Sequence, residues 1–168
     1  KSVLTDIKDI YGVQYVRFPR CAMKKIYEEG SEFKIGKGIT LKDGTDITII
    51  ASGLLVSETL DAADELEKDG ISARVVDMFT WKPIDKELIV KCAKETGAIV
   101  TAENHNIING LGSAVAEVLV ENYPVIMGRV GCKERFGEVG DVDYLIKSFE
   151  MTGNDIVKKT KEVLQKKA

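Results

Sequence analysis

The chain has 168 residues, 44% of them hydrophobic, which suits one domain of ordinary size with a core of its own. Its net charge of -3, with both signs interspersed, gives no large basic field, so nucleic acid is not an expected partner. No stretch approaches the roughly 20 apolar residues of a membrane span. The three cysteines are far apart and form no CxxC pair, which favours a reducing, cytoplasmic compartment without disulfides or zinc.

The first part of the chain predicts a helix, a strand and a linker. Apolar residues keep helical spacing over residues 3–11. Residues 13–18 are rich in β-forming types and end at Pro19, which cannot continue the ladder of a central strand. Residues 19–46 carry glycines among scattered charges without a sustained period. We expect a linker between two domains there, with a short hairpin near residues 33–41.

From residue 47 onward, strands and helices alternate regularly. The predicted strands cover residues 47–51, 73–78, 98–103 and 125–130. The intervening helices are predicted to begin at Ser57, Asp85 and Gly110 and to end near Gly70, Gly97 and Asn122, with two more helices over 142–149 and 155–164. This alternation predicts a three-layer α/β/α fold, in which right-handed crossovers join the strands of a parallel sheet.

The third predicted strand leads into the residues with the most chemical potential. It ends in Glu103, and His105 and a Gly110-Leu111-Gly112-Ser113 turn follow. Glycines at such a turn allow close packing, and the N–H groups of the new helix could receive an anion. Glu103 either contacts a ligand at the carboxyl end of the sheet or caps the next helix. His105, the only histidine, either acts as a general acid or base or holds the loop or a partner.

Three other side chains are candidates for binding. Arg17 and Arg20 flank the end of the first predicted strand, where an arginine can hold a phosphate or carboxylate through its planar fork or lie free on the surface. Trp81 either folds onto the core or anchors an interface. The first strand of the main sheet lacks the GxGxxG spacing that follows it in dinucleotide-binding folds, so such a site is not expected.

Four strings resemble the C-terminal part of transketolase and its thiamine-diphosphate relatives. TAENHNIINGLGSAVAEVL at 101–119 has the family's acidic strand end and Gly-Leu-Gly-Ser turn, and VDMFTWKPID at 76–85 is similar to its strand and turn. FGEVGDVDYLIKSFEMTGNDIV at 136–157 is similar to its C-terminal end. YVRFPR at 15–20 resembles the last strand of the preceding pyrimidine-binding domain. One departure is Asn109, where the family commonly has a second glycine.

The resemblance implies a fold and a domain division. The sheet is expected to have five strands, mostly parallel, with one antiparallel edge strand. Residues 1–18 would be the last helix and strand of a pyrimidine-binding domain, residues 19–46 a linker, and residues 47–168 the transketolase C-terminal domain.

The resemblance also implies a function. It points to a split transketolase, which transfers a two-carbon ketol unit between sugar phosphates and whose N-terminal subunit carries the diphosphate-binding domain. Thiamine diphosphate and magnesium would belong to the complete enzyme. This chain would bind neither alone, would contribute structure and interfaces, including contacts between copies, and would be inactive by itself.

Individual residues follow from the same resemblance. Arg17 stands where the family's arginine contacts the phosphate of the sugar substrate, and it is the one site residue expected here. Glu103, His105, Gly110 and Gly112 would belong to a loop or an interface, and no catalytic or metal-binding residue is expected.

Two other functions remain open at this point. Deoxyxylulose-phosphate synthase and the β subunit of 2-oxo acid dehydrogenases have the same C-terminal domain. A free-standing flavodoxin-like module, which would bind a small anion at the Gly110 turn as a monomer, belongs to a different class.

Overall fold

A computed structural model describes residues 2–167 and contains six helices and five strands within them. The strands are β1 (Ile39–Lys42), β2 (Ile47–Ser52), β3 (Ala73–Asp77), β4 (Ala98–Asn106) and β5 (Ile126–Cys132). The helices are α1 (Ser2–Ile7), α2 (Leu55–Lys68), α3 (Lys86–Thr96), α4 (Leu111–Asn122), α5 (Val142–Ser148) and α6 (Gly153–Lys167). Among these residues, no helix has the length and apolar character needed to cross a membrane.

The five strands form one sheet in the order β1-β3-β2-β4-β5. Strands β2 to β5 are parallel, and β1 pairs antiparallel with β3. In the centre, Ile49 of β2 lies opposite Val75 on one side and Val100 on the other. The expected mixed sheet with one antiparallel edge strand is therefore confirmed.

Helices cover both faces of the sheet. Successive side chains of a strand point to opposite faces, so a central strand presents apolar residues to the helices on each side. Ile49 packs on the face covered by α2, α5 and α6, whereas Ile50 packs on the face covered by α3 and α4. Both isoleucines are completely buried. Burying a side chain of this size contributes about 1.5–3 kcal/mol, so the near-continuous apolar sequence of β2 fixes it at the centre of the three layers.

The ends of the helices test the predicted caps. Asp85 is the N-cap of α3, where its carboxylate accepts the N–H of Leu88 at 3.1 Å, as predicted. Gly97 ends that helix in the left-handed conformation with φ 63°. The predicted N-cap Ser57 is wrong, because α2 begins two residues earlier. Gly53, with φ 63°, lets the chain turn directly from β2 into the helix.

The predicted strand at residues 13–18 does not form. A strand requires a neighbour for its backbone hydrogen bonds, and no described residue pairs with this segment. Its side chains are accordingly exposed, including Val13 and Tyr15 at 101% and 86%. The preceding helix is also shorter than predicted and ends at Ile7.

The predicted hairpin near residues 33–41 is likewise wrong. Instead, β1 lies within the segment predicted as a linker and adds to the free side of β3. Gly44 allows this arrangement, because a Cβ there would collide with the backbone of Ala73. The edge strand therefore comes from a part of the chain that showed no strand period.

Aromatic side chains fasten the segment before β1 to the sheet. The Tyr27 ring meets Phe33 edge-on at 4.7 Å, and Phe33 meets Phe79 in the same way at 5.2 Å. The Tyr27 hydroxyl donates to Oδ2 of Asp77 at 2.7 Å. Asp77 is only 6% exposed, and burial raises the pKa of its carboxyl, which the bond from Tyr27 opposes. This hydrogen bond therefore stabilises a buried acid at the end of β3.

Replacing Tyr27 with Phe should lower the free energy of unfolding by about 1–3 kcal/mol, because the buried Asp77 loses its hydroxyl donor. Urea denaturation followed by circular dichroism measures the change. The same substitution at Tyr15, which is 86% exposed, is the matched control and should leave stability unchanged. Equal stability of both variants would contradict a stabilising role for the Tyr27 bond.

Candidate functional site

The sheet reverses its order between β2 and β4. After β2 the chain passes through α2 on one face, and after β4 it passes through α4 on the other. The two connections therefore leave in opposite directions at the carboxyl ends of neighbouring strands. This is the position at which open α/β sheets bind ligands. Five side chains or backbone groups gather there, and we call them the switch-point cluster: Arg17, Ser52, Trp81, Asn104 and His105.

Glu103 lies beneath this cluster and caps helix α4. Its side chain is completely buried, and its two oxygens accept the N–H groups of Leu111 at 2.7 Å and Gly112 at 2.8 Å. Burial raises the pKa of the Glu103 carboxyl, while the two backbone N–H groups, His105 and Arg129 favour its charged form. Of the two roles proposed for Glu103, the structure supports the helix cap.

The glycines of the turn make this cap possible. A Cβ on Gly110 would collide with Oε2 of Glu103, and a Cβ on Gly112 would lie 2.7 Å from Cδ of Arg129. Asn109 adopts a left-handed conformation with φ 59°, which asparagine tolerates better than most residues. The Asn109 departure thus leaves the turn intact. Because Glu103 already accepts two N–H groups of the helix, the structure does not favour an anion at the Gly110 turn.

His105 lies at the surface near the carboxyl end of β4. Its ring meets the Trp81 ring edge-on at 5.7 Å, and its side chain is 42% exposed. Nδ1 is 3.0 Å from the carbonyl oxygen of Asn106 and 3.9 Å from Oε2 of Glu103. Trp81 is itself fixed, because its indole N–H donates to Oγ of Ser52 at 3.1 Å. Trp81 packs against the core, which is one of the two roles predicted for it. Its ring also orients His105.

Arg17 reaches the cluster from the other end of the sequence. Its Nη2 donates to the carbonyl oxygen of Asn104 at 3.2 Å, across 87 residues of chain. The neighbouring Gly53 leaves room for the Asn104 side chain, because a Cβ there would lie 2.8 Å from Oδ1 of Asn104. The structure therefore brings the predicted arginine to the end of the strand that carries the predicted histidine.

Sequence reasoning missed two members of the cluster, Ser52 and Asn104. Both follow from the rule that ligands bind at the carboxyl ends of strands at the reversal of strand order. That rule could be applied only once the order of strands was known. Arg129 was also missed. It lies on β5 and donates to the carbonyl oxygen of Ile107 at 2.9 Å, which holds the loop from its far side.

The described residues do not fit a diphosphate cofactor with its metal. Within residues 2–167 no group of three or more histidine, cysteine, aspartate or glutamate side chains is placed to hold a metal ion. The N-terminus of α4, where a phosphate could otherwise bind, faces the carboxylate of Glu103, which would repel a diphosphate.

Residues 36–156 match the family model of the transketolase C-terminal domain. The match covers more than half of the chain, and the fold agrees with it. The chain belongs to the transketolase C-terminal domain family.

Individual relatives extend the similarity to nearly the whole chain. A 6-deoxy-6-sulfo-D-fructose transketolase subunit, SqwH, of Clostridium sp. (strain MSTE9) is 47% identical over 93% of this chain and 48% of its own length. A transketolase C-terminal section of Methanocaldococcus jannaschii is 44% identical over 99% of this chain and 52% of its own. A solved split gene transketolase, described as an inactive β4 tetramer, superposes with a TM-score of 0.96 at 42% identity. It is matched over 99% of this chain and 55% of its own. The chain thus spans about half the length of these relatives.

Replacing Glu103 with Gln should destabilise the fold by about 1–3 kcal/mol. A glutamine has one acceptor oxygen, so either Leu111 or Gly112 would lose its partner and face an amide donor. Urea denaturation at pH 7 measures the change. Glu117→Gln, the same substitution at an exposed position of α4, is the control and should be neutral. Equal stability of the two variants would contradict the cap.

Wild type and Glu103→Gln, compared by urea denaturation at several pH values, also test the raised pKa of Glu103. Because the folded-state pKa of Glu103 is raised above its ordinary value of 4.5, the folded chain holds this proton to higher pH than the unfolded chain does. The contribution of Glu103 to stability should be greatest below pH 4.5 and decrease as pH rises through the folded-state pKa. The stability difference between wild type and Glu103→Gln should therefore be larger below pH 4.5 than at pH 7, where the cost of the lost acceptor oxygen remains. A difference that grows with rising pH would contradict the raised pKa. Asp77, whose pKa is also raised, cancels in this comparison.

Proposed function

We propose that this chain is the C-terminal part of a split transketolase that transfers a two-carbon ketol unit between sugar phosphates. The observation that carries the proposal is the similarity over at least nine-tenths of the chain to two transketolase subunits or sections, each about twice as long. In this proposal an N-terminal subunit supplies the diphosphate-binding domain. Thiamine diphosphate and magnesium belong to the assembled enzyme, and residues 1–18 are the end of a pyrimidine-binding domain.

The roles of individual residues follow from the geometry of the switch-point cluster. Arg17 would bind the phosphate of the sugar, because its planar guanidinium can donate paired hydrogen bonds to phosphate oxygens. Its bond to the carbonyl oxygen of Asn104 leaves other N–H groups for such a ligand. The C-terminal domain would then orient a residue of the substrate site by holding one edge of the guanidinium.

The remainder of the chain would supply structure and subunit contacts. A solved relative is described as an inactive β4 tetramer, which supports our proposal that this chain associates with further copies and lacks activity alone. Exposed apolar side chains are available for such contacts, including Tyr11 and Phe136 at 104% and 97%.

We expect ketol transfer only when the chain is mixed with the N-terminal subunit, thiamine diphosphate and magnesium. The reason is that in this proposal the N-terminal subunit carries the diphosphate-binding domain, and within residues 2–167 no group of three or more histidine, cysteine, aspartate or glutamate side chains is placed to hold a metal ion. A coupled assay of sugar-phosphate turnover, run with each subunit alone and with both, measures the difference. Turnover by this chain alone would overturn the proposed division of labour.

In the assembled enzyme, replacing Arg17 with Ala should weaken transition-state binding of phosphorylated substrates by about 1.5–3 kcal/mol, the value of a charged hydrogen bond. The loss should appear in kcat/KM for a sugar phosphate. The control is Arg20→Ala, which removes the same charge three residues away. If both variants keep wild-type kcat/KM, Arg17 is not a phosphate-binding residue.

A further inference from the structure

Arg17 supplies a positive charge to the switch-point cluster, and no carboxylate of residues 2–167 pairs with that charge. Its guanidinium makes one hydrogen bond, to a backbone carbonyl oxygen at 3.2 Å. The residue that accepts this bond, Asn104, is followed directly by His105. The arginine is therefore tied to the backbone beside the only imidazole of the chain.

The orientation of His105 leaves one ring nitrogen available. A backbone carbonyl oxygen can only accept, so Nδ1, at 3.0 Å from the oxygen of Asn106, carries the hydrogen of that bond. Nε2 has no hydrogen-bond partner among the described residues. The ring is also held in place, because it meets the edge of Trp81, whose indole N–H is bonded to Ser52.

The position of the cluster is one where a ligand is expected. The connections that follow β2 and β4 diverge to opposite faces of the sheet, which is the arrangement that forms a ligand-binding crevice between strand ends in open α/β sheets. Arg17 bonds to the carboxyl end of β4, which also carries His105. Glu103 closes the nearby N-terminus of α4 to anions, so an anion at this edge would meet the side chains rather than the helix.

We propose that His105 is a second phosphate-binding residue, so that a phosphate monoester bridges Arg17 and Nε2 of His105 at the crevice between β2 and β4. This inference rests on the proposed phosphate-binding role of Arg17 and extends it into the C-terminal domain. Because Nδ1 already donates to the carbonyl oxygen of Asn106, Nε2 donates to the phosphate as part of an imidazolium, which takes its second proton from solvent when the phosphate binds. The guanidinium of Arg17 and this imidazolium are two donors from different parts of the chain, and they would select a tetrahedral dianion, which presents several acceptor oxygens at once. Trp81 acts as a positioning residue, because it orients the imidazole without contacting the phosphate.

The chain carries its own reporters for this site, since it has one histidine and one tryptophan. Inorganic phosphate is titrated into the chain at pH 7, with sodium chloride adjusted to keep the ionic strength constant. We expect the proton magnetic resonance signal of the His105 ring to move saturably toward its imidazolium position. Trp81 fluorescence should change with the same midpoint, because its ring centroid is 5.7 Å from that of His105. Ribose 5-phosphate should reproduce the changes, whereas ribose should not.

Variants separate specific binding from a general effect of charge. Arg17→Ala should weaken the phosphate midpoint by about tenfold or more, whereas Arg20→Ala, with the same loss of charge, should keep it within about twofold. His105→Gln should weaken phosphate binding by about tenfold in calorimetry, while its stability to urea remains that of the wild type. A His105 signal that moves no further with phosphate than with chloride would overturn the inference, and so would equal effects of the two arginine variants.

The outcome distinguishes this inference from the proposed function. If Arg17→Ala impairs the assembled enzyme but His105→Gln leaves its kcat/KM for sugar phosphates unchanged, Arg17 keeps its role and His105 loses it. If phosphate binds at His105 and Arg17 but the mixed subunits transfer no ketol unit, the phosphate site stands and the proposed reaction fails.

Discussion

The buried carboxylate of Glu103 is the interaction on which the carboxyl edge of the sheet depends. Removing a charge from water costs several kcal/mol, and here two backbone N–H groups and the positive end of α4 offset part of that cost. The bond joins the end of β4 to the start of α4, so it also fixes the loop between them. Because Asn104 and His105 lie in β4 between Glu103 and this loop, their positions depend on the same carboxylate.

This cap also decides where the edge can bind a ligand. A helix that follows a glycine turn usually offers its first N–H groups to an anion, but in this chain a side chain of the protein already accepts them. The available donors therefore belong to side chains beside the helix, in the crevice where β2 and β4 diverge. Arg17 reaches that crevice because the segment that carries it lies along the carboxyl edge, where Tyr27 and Asp77 hold the residues that follow.

Sequence patterns predicted the elements that depend on local signals. Helix α3 begins at an aspartate and ends at a left-handed glycine as its sequence indicates, and the apolar run of β2 is the buried centre of the sheet. Predictions failed where another part of the chain decides the structure. Residues 13–18 have strand-forming types but no partner, whereas β1 has no clear period and becomes a strand because β3 offers a free edge.

The sequence by itself determined the family, the alternation of strands and helices, and the residue types at the carboxyl edge, because these depend on short patterns. It also identified Arg17, Glu103 and His105 as candidates without assigning Glu103 to the cap. Only the tertiary structure decided that assignment, the order of the strands and the contact of Arg17 with the end of the strand that carries His105. Contacts across 87 residues of chain depend on how the layers pack, and no local pattern encodes them.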